Sequence, residues 1–161
     1  MVPVLRIIGP PGSGKTLLIV SLTEALRSRG HRVASIAPRR NGATVLVLSN
    51  AGRVTLEQPL PLTRLQTVAP SLDPSVQIIL AEGYAAPEDT AFPSITLGEA
   101  TDASAIAHVT TEEIEALFAR LGPGETNGLV DLVETRVLGL PPREVVASGW
   151  RGLLRRWRRR S

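Results

Sequence analysis

The sequence has no cysteine and only one lysine, one methionine and one tyrosine, and aromatic residues make up 3% of it. Without cysteine there is no disulfide, thiolate metal site or cysteine nucleophile, and redox chemistry does not fix the compartment. With so few aromatics, aliphatic side chains have to fill the core. No apolar run approaches the roughly 20 residues that a membrane-spanning helix needs. The first apolar run, Val2 to Ile8, is too short for a signal peptide and leads directly into a glycine-rich turn, so a cytoplasmic location is expected. The two histidines, His31 and His108, stand far apart and belong to no cluster of potential ligands, which argues against a metal or catalytic role for either.

What is present fits one α/β domain: 161 residues, 43% hydrophobic and 20% charged, the balance of a globular chain. The net charge of +3 hides an asymmetry. Six arginines and no acid lie in residues 150–161, which leaves 12 basic against 15 acidic side chains in residues 1–149. The body is therefore mildly acidic and the basicity is a tail. That distribution argues against a nucleic-acid-binding domain and for a local anionic contact at the C-terminal end.

Val4-Leu5-Arg6-Ile7-Ile8 is a short, mostly apolar run suited to a buried parallel strand. From Thr16 the apolar positions Leu17, Leu18, Val20, Leu22, Ala25 and Leu26 recur at helical spacing, and Gly30 closes the helix. His31 to Ala37 reads as a second strand. The strand, helix, strand order predicts that the first two strands pair in parallel. Ala43–Ser49 and Arg53–Glu57 read as a hairpin around Asn50-Ala51-Gly52, with glycine at a left-handed position. A short helix is expected over Leu62–Ala69, followed by a buried strand over Val76–Ala81 and two more over Ser94–Leu97 and Ala105–Val109. Thr110-x-x-Glu113 is a capping box opening a helix over Glu112–Leu121. Two further helices are expected over Asn127–Leu138 and Arg143–Arg160. The class is an α/β P-loop NTPase-type three-layer sandwich: a mostly parallel sheet, a β-hairpin insertion and a helical C-terminal extension. The boundary is placed after residue 122, with 123–161 as the extension.

Gly9-Pro10-Pro11-Gly12-Ser13-Gly14-Lys15-Thr16 matches G-x-x-x-x-G-K-[ST] at every specified position, between a predicted strand and a predicted helix. Glycine permits the dihedrals that turn consecutive N–H groups into one concavity, which suits phosphate. The helix that begins near Lys15 adds unpaired N–H groups and partial positive charge. Lys15 is expected to bridge β- and γ-phosphates, and Thr16 to offer its hydroxyl to Mg²⁺. The only lysine among 18 basic residues occupies this position. An ammonium is a compact point charge able to enter the loop, whereas a guanidinium is planar and larger.

A P-loop site also needs an acid at the end of a neighbouring buried strand to orient the cation. Glu82, directly after Val76–Ala81, is the candidate metal and catalytic partner, because the carboxyl edge of an α/β sheet is where ligands bind. Arg39 and Arg40, just after the second strand, would leave at the same edge and could approach a γ-phosphate or an anionic substrate.

With these residues in place, GPPGSGKTLLIVSLTEALRSRGHRVASI, the later VQIILAEGY and the Pro-Ser-Ile-Thr-Leu strand resemble molybdopterin-guanine dinucleotide biosynthesis protein B (MobB) over about residues 4–120. The resemblance implies a GTP-binding accessory protein with Mg²⁺ and weak hydrolysis. It also implies a homodimer that assists the nucleotidyltransferase joining GMP to molybdopterin. It assigns the phosphate loop to Gly9–Thr16 and the acidic strand end to Glu82-Gly83. The chain departs from the family after its second strand, where Pro38-Arg39-Arg40-Asn41-Gly42 replaces histidines and a longer polar stretch. It has no Asn-Lys-x-Asp guanine motif, so GTP rather than ATP rests on the resemblance alone. Two alternatives use the same loop: a small-molecule or nucleotide kinase, and a non-hydrolysing nucleotide-dependent adaptor.

At the C-terminal end Val146, Trp150, Leu153, Leu154 and Trp157 recur at spacings of three and four, with Arg151, Arg155, Arg158 and Arg159 largely off that stripe. An amphipathic helix of this kind would dock on an anionic membrane surface or an acidic protein, or pack on the chain's own body.

Overall fold

A computed structural model describes residues 1–48, 52–113 and 127–142. The elements are β1 (Val4–Ile8), α1 (Lys15–Ser28), β2 (Val33–Pro38), β3 (Thr44–Leu48), β4 (Gly52–Leu56), α2 (Leu62–Leu72), β5 (Ile78–Glu82), a 3₁₀ turn at Pro87–Ala91, β6 (Ser94–Leu97), β7 (Ala105–Val109) and α3 (Asn127–Arg136). The seven strands form one sheet in the order β4-β3-β2-β5-β1-β6-β7. The five strands from β2 to β7 run parallel, and β3 and β4 extend the β2 edge as an antiparallel arm. The mostly parallel α/β sheet with a hairpin insertion is thus the architecture expected from the sequence.

One expectation is corrected. β1 and β2 are parallel but not paired, because β5 lies between them. The reason is burial: Ile78, Ile79, Leu80 and Ala81 have no exposed surface, so this strand needs neighbours on both edges and apolar layers on both faces. Only a central position supplies all four. The insertion also carries the end of β5 to the side of β1, where Ile7 stands opposite Glu82.

Alternation along the strands divides the core between the two faces of the sheet. Leu5 and Ile7 of β1, with Leu80 and Ile95, pack against Leu18, Leu22 and Leu26 of α1. Val4, Ala34, Ile36, Leu46 and Ile79 face the other way, onto Leu62 and Leu65 of α2. Leu18, Leu22 and Leu26 recur at spacings of four with Ile19 beside them, the stripe an amphipathic helix needs to cover a sheet. Helix α3, within the expected extension, adds the fully buried Val130 and Val133 to the α1-side core.

The hairpin glycine, Gly52, has φ 75°, while residues 49–51 of that turn lie outside the described residues. The capping box is formed: the Thr110 N–H donates to Glu113 Oε2 at 2.7 Å and the Glu113 N–H to Thr110 Oγ1 at 3.2 Å. The body of the helix it opens, and the basic amphipathic stretch from residue 143 on, lie outside the described residues. Among the described residues no helix is long and apolar enough to cross a membrane.

Candidate functional site: a phosphate loop and its acidic strand end

The chain leaves the buried strand β1 at Ile8 and enters α1 at Lys15, so the six residues between must turn back within a small space. Gly12 and Gly14 do so at φ 76° and 87°, left-handed values that a side chain resists. Gly9 is required for a different reason. A Cβ there would lie 2.4 Å from Ser13 Oγ and 3.0 Å from Leu97 Cβ, so the loop folds over the position where a side chain would be. The Ser13 N–H donates to the Pro10 carbonyl at 3.2 Å and closes the turn.

Helix α1 starts without a side-chain cap and without an acid in its first turn. Its N-terminal N–H groups and the positive end of its dipole are thus left for a ligand. The Lys15 ammonium reaches back over the loop and donates to the carbonyls of Gly9 and Pro10, each at 2.9 Å. Both acceptors are neutral, so the charge is bound but not neutralised. The Ser13 hydroxyl is buried and has no hydrogen-bond partner among the described residues. Together, the glycine cradle, the uncapped helix, the unneutralised ammonium and the orphaned hydroxyl fit the phosphates of a nucleotide.

The acidic strand end is at hand. Glu82 closes β5, and the Thr16 hydroxyl donates to its two carboxylate oxygens at 3.1 and 3.0 Å. The Gly83 N–H donates to the Ile7 carbonyl at 2.9 Å and fixes the end of β5 against β1. Gly83 itself has φ 80°. A carboxylate and a hydroxyl oxygen meeting at the start of the helix are hard donors of the kind Mg²⁺ takes alongside phosphate oxygens and water. Among the described residues no three His, Cys, Asp or Glu side chains gather, so a dedicated all-protein metal cage is absent there.

Arg39 and Arg40 occupy the tight turn after β2, where the Arg39 N–H donates to Ala43 O at 2.7 Å and Gly42 turns at φ 83°. Both are exposed. Arg39 lines the cleft that also contains Thr16 and Glu82, whereas Arg40 is not among its lining residues. His31 has a structural partner: its Nε2 lies 2.7 Å from Glu134 Oε1. Arg29 pairs with Glu134 and Asp131, each at 2.6 Å, so the end of α1 is tied to α3. His108 Nδ1 lies 3.0 Å from Thr96 Oγ1.

Sequence reasoning missed Arg6. In the middle of β1 its side chain is fully buried, which is expensive for a charge unless it is paired and hydrogen-bonded. It pairs with Asp102 at 2.9 Å, donates to the Tyr84 carbonyl at 2.9 Å and the Phe92 carbonyl at 2.9 and 3.1 Å, and reaches the Ser104 hydroxyl. Burial pushes the Asp102 carboxyl up, but the Ser104 hydroxyl and N–H and the Arg6 guanidinium outweigh it and hold the group below the usual carboxylate range. Asp89, in the same segment, is moved the other way by burial and by Glu88. Arg6 thus anchors the chain that follows Glu82 to the strand that carries the phosphate loop. The signal was a lone charge within a buried apolar run; its partner is far along the chain, in a loop.

The loop, the helix and the sheet order define an α/β fold of the P-loop NTPase type. Solved structures of this kind include Bacillus subtilis MobB, with 17% identity and a TM-score of 0.52 over 86% of this chain and 99% of that one. A MobB homologue from Bacillus stearothermophilus has 22% identity and a TM-score of 0.41 over 72% and 95% of the two chains. A further molybdopterin-guanine biosynthesis protein B has 18% identity and a TM-score of 0.39 over 71% and 93%. No family model and no curated protein matches the sequence. The likeness to the Bacillus subtilis structure extends the resemblance to MobB, read from the motifs, to the fold.

Proposed function

We propose that the chain is a nucleotide-binding accessory protein of the MobB kind. It binds GTP with Mg²⁺, with ATP as the alternative nucleotide, hydrolyses it weakly, and works through a partner: the nucleotidyltransferase that attaches GMP to molybdopterin. A homodimer, as the resemblance implies, is part of this reading. The observation that carries it is the meeting of Thr16 and Glu82 at the mouth of the glycine loop. In this reading the loop N–H groups and Lys15 hold phosphate oxygens, and Thr16 and Glu82 hold the cation. Bound Mg²⁺ would supply charge neutralisation at the phosphates. Arg39, which lines the same cleft as Thr16 and Glu82, would approach the γ-phosphate end in this reading, with Arg40 next to it in the turn.

Mass spectrometry of the nucleotide retained on the purified, denatured protein, followed by titration with GTP and ATP in the presence and absence of Mg²⁺, tests the reading. Retained guanine nucleotide with Mg²⁺-dependent affinity supports it. Preference for adenine would move the function toward the kinase alternative, and absence of any nucleotide affinity would remove the function altogether.

A further inference from the structure

Helices α1 and α3 cover only part of their face of the sheet. Beyond Leu80 the same face continues onto the β3–β4 arm through Ser35 opposite Val47, Ala37 opposite Val45, and Val47 opposite Arg53. No helix among the described residues lies over this stretch. The flank of α1 forms a wall beside it, with Thr16, Val20, Thr23 and Arg27 at spacings of four, three and four along one stripe. Between wall and floor lies a cleft of about 550 Å³, within the size range of small-molecule sites.

Its lining is amphipathic. The floor is apolar through Ala37, Val45 and Val47, and Val20 on the wall is 47% exposed. Arg39 and Arg53 bring guanidinium groups to its lining, and Glu24 and Glu82 bring carboxylates. The end formed by Thr16 and Glu82 is the mouth of the phosphate loop.

We propose that this cleft is a second ligand site, which takes a small phosphate monoester with an apolar body and places it beside the γ-phosphate end of the loop. The apolar body removes Val20 and Val47 from water, and Arg39 and Arg53 meet the anion with paired donors. The position beside the nucleotide rests on the function proposed above; the affinity of the cleft for its own ligand does not.

The test is calorimetric titration of phenyl phosphate into the full chain saturated with Mg²⁺ and a non-hydrolysable GTP analogue, with benzoate and inorganic phosphate in parallel. The expected result is one phenyl phosphate per chain, with benzoate and inorganic phosphate each at least about tenfold weaker. Arg53→Ala should weaken phenyl phosphate about tenfold, the scale of one charge-assisted contact, and Val20→Trp should fill the cleft and abolish binding. Neither variant should alter affinity for the GTP analogue. Unchanged phenyl phosphate affinity in both variants would overturn the site. So would binding seen only when nucleotide is absent, since the probe would then occupy the phosphate loop. Phenyl phosphate binding that is sensitive to Arg53→Ala, in a protein that takes no nucleotide, would support the cleft and overturn the nucleotide reading. Analogue binding without phenyl phosphate binding would overturn the cleft alone.

Discussion

The Thr16 hydroxyl donates to both carboxylate oxygens of Glu82, at 3.1 and 3.0 Å, across 66 positions of sequence. The contact ties the first turn of α1 to the end of β5 and brings together two oxygen donors of the kind a hard cation takes. Glu82→Gln keeps the shape but removes the charge. It should weaken Mg²⁺-dependent nucleotide binding roughly tenfold or more, while changing metal-free binding little, because a neutral amide is a much poorer ligand for a hard dication. Titrations at a series of Mg²⁺ concentrations check this, and an unchanged magnesium dependence would make the acid a bystander.

The buried Arg6–Asp102 pair gives a stability prediction with a sign. The folded Asp102 carboxyl binds its proton more weakly than the unfolded one. Its contribution is therefore complete above the ordinary value near 3.9 and is lost as pH falls through the depressed folded value. Asp102→Asn should cost roughly 3 kcal/mol at neutral pH, since it leaves the guanidinium buried without its counter-charge. The gap between variant and wild type should narrow on acidification below about pH 4. Urea unfolding at pH 7 and at pH 3 measures both numbers. An equal gap at the two pH values would contradict the assignment.

Gly14→Ala should be costly for so small a change. At φ 87° an added Cβ strains the backbone by about 1–2 kcal/mol. The strain sits at the start of α1, so nucleotide affinity should fall along with stability. Thermal unfolding beside nucleotide titration separates this from Gly12→Ala. At Gly12, with φ 76°, an added Cβ meets no atom within 4 Å, and the cost should be backbone strain alone.

Glu134 is 2% exposed and receives Arg29 and His31 from the segment that follows α1. Glu134→Ala should destabilise the whole domain by roughly 3 kcal/mol, because α3 shares the α1-side core through Val130 and Val133. Chemical unfolding should remain one transition. A separate early transition for α3 would mean that the helix is an appendage instead.

The parts legible in the sequence were those encoded locally. The phosphate loop could be read because each glycine answers a local backbone need, at Gly12, Gly14 and Gly9. Glu82 could be read because it ends a run apolar enough to be a buried strand, and Thr110 with Glu113 because a capping box is complete within four residues. The pairing order of the strands was not legible. The insertion of β5 between β1 and β2 depends on burial of both its faces and both its edges, which alternation along one strand does not encode. Arg6 was missed for a related reason: its counter-ion Asp102 and its acceptors at Tyr84 and Phe92 meet it only after the sheet has closed. The cleft was equally invisible, since α1 supplies its wall and a hairpin arm supplies its floor.

The central claim is that Gly9–Thr16 holds nucleotide phosphates, and Lys15→Ala tests it most directly. Among the described residues Lys15 donates hydrogen bonds only to the carbonyls of Gly9 and Pro10, and the variant should therefore keep the circular dichroism spectrum of the folded protein. Titration with a fluorescent GTP analogue should show a roughly 100-fold loss of affinity, the scale of a lost charged contact of about 2–3 kcal/mol. A folded Lys15→Ala protein that binds the analogue as tightly as wild type would contradict the account.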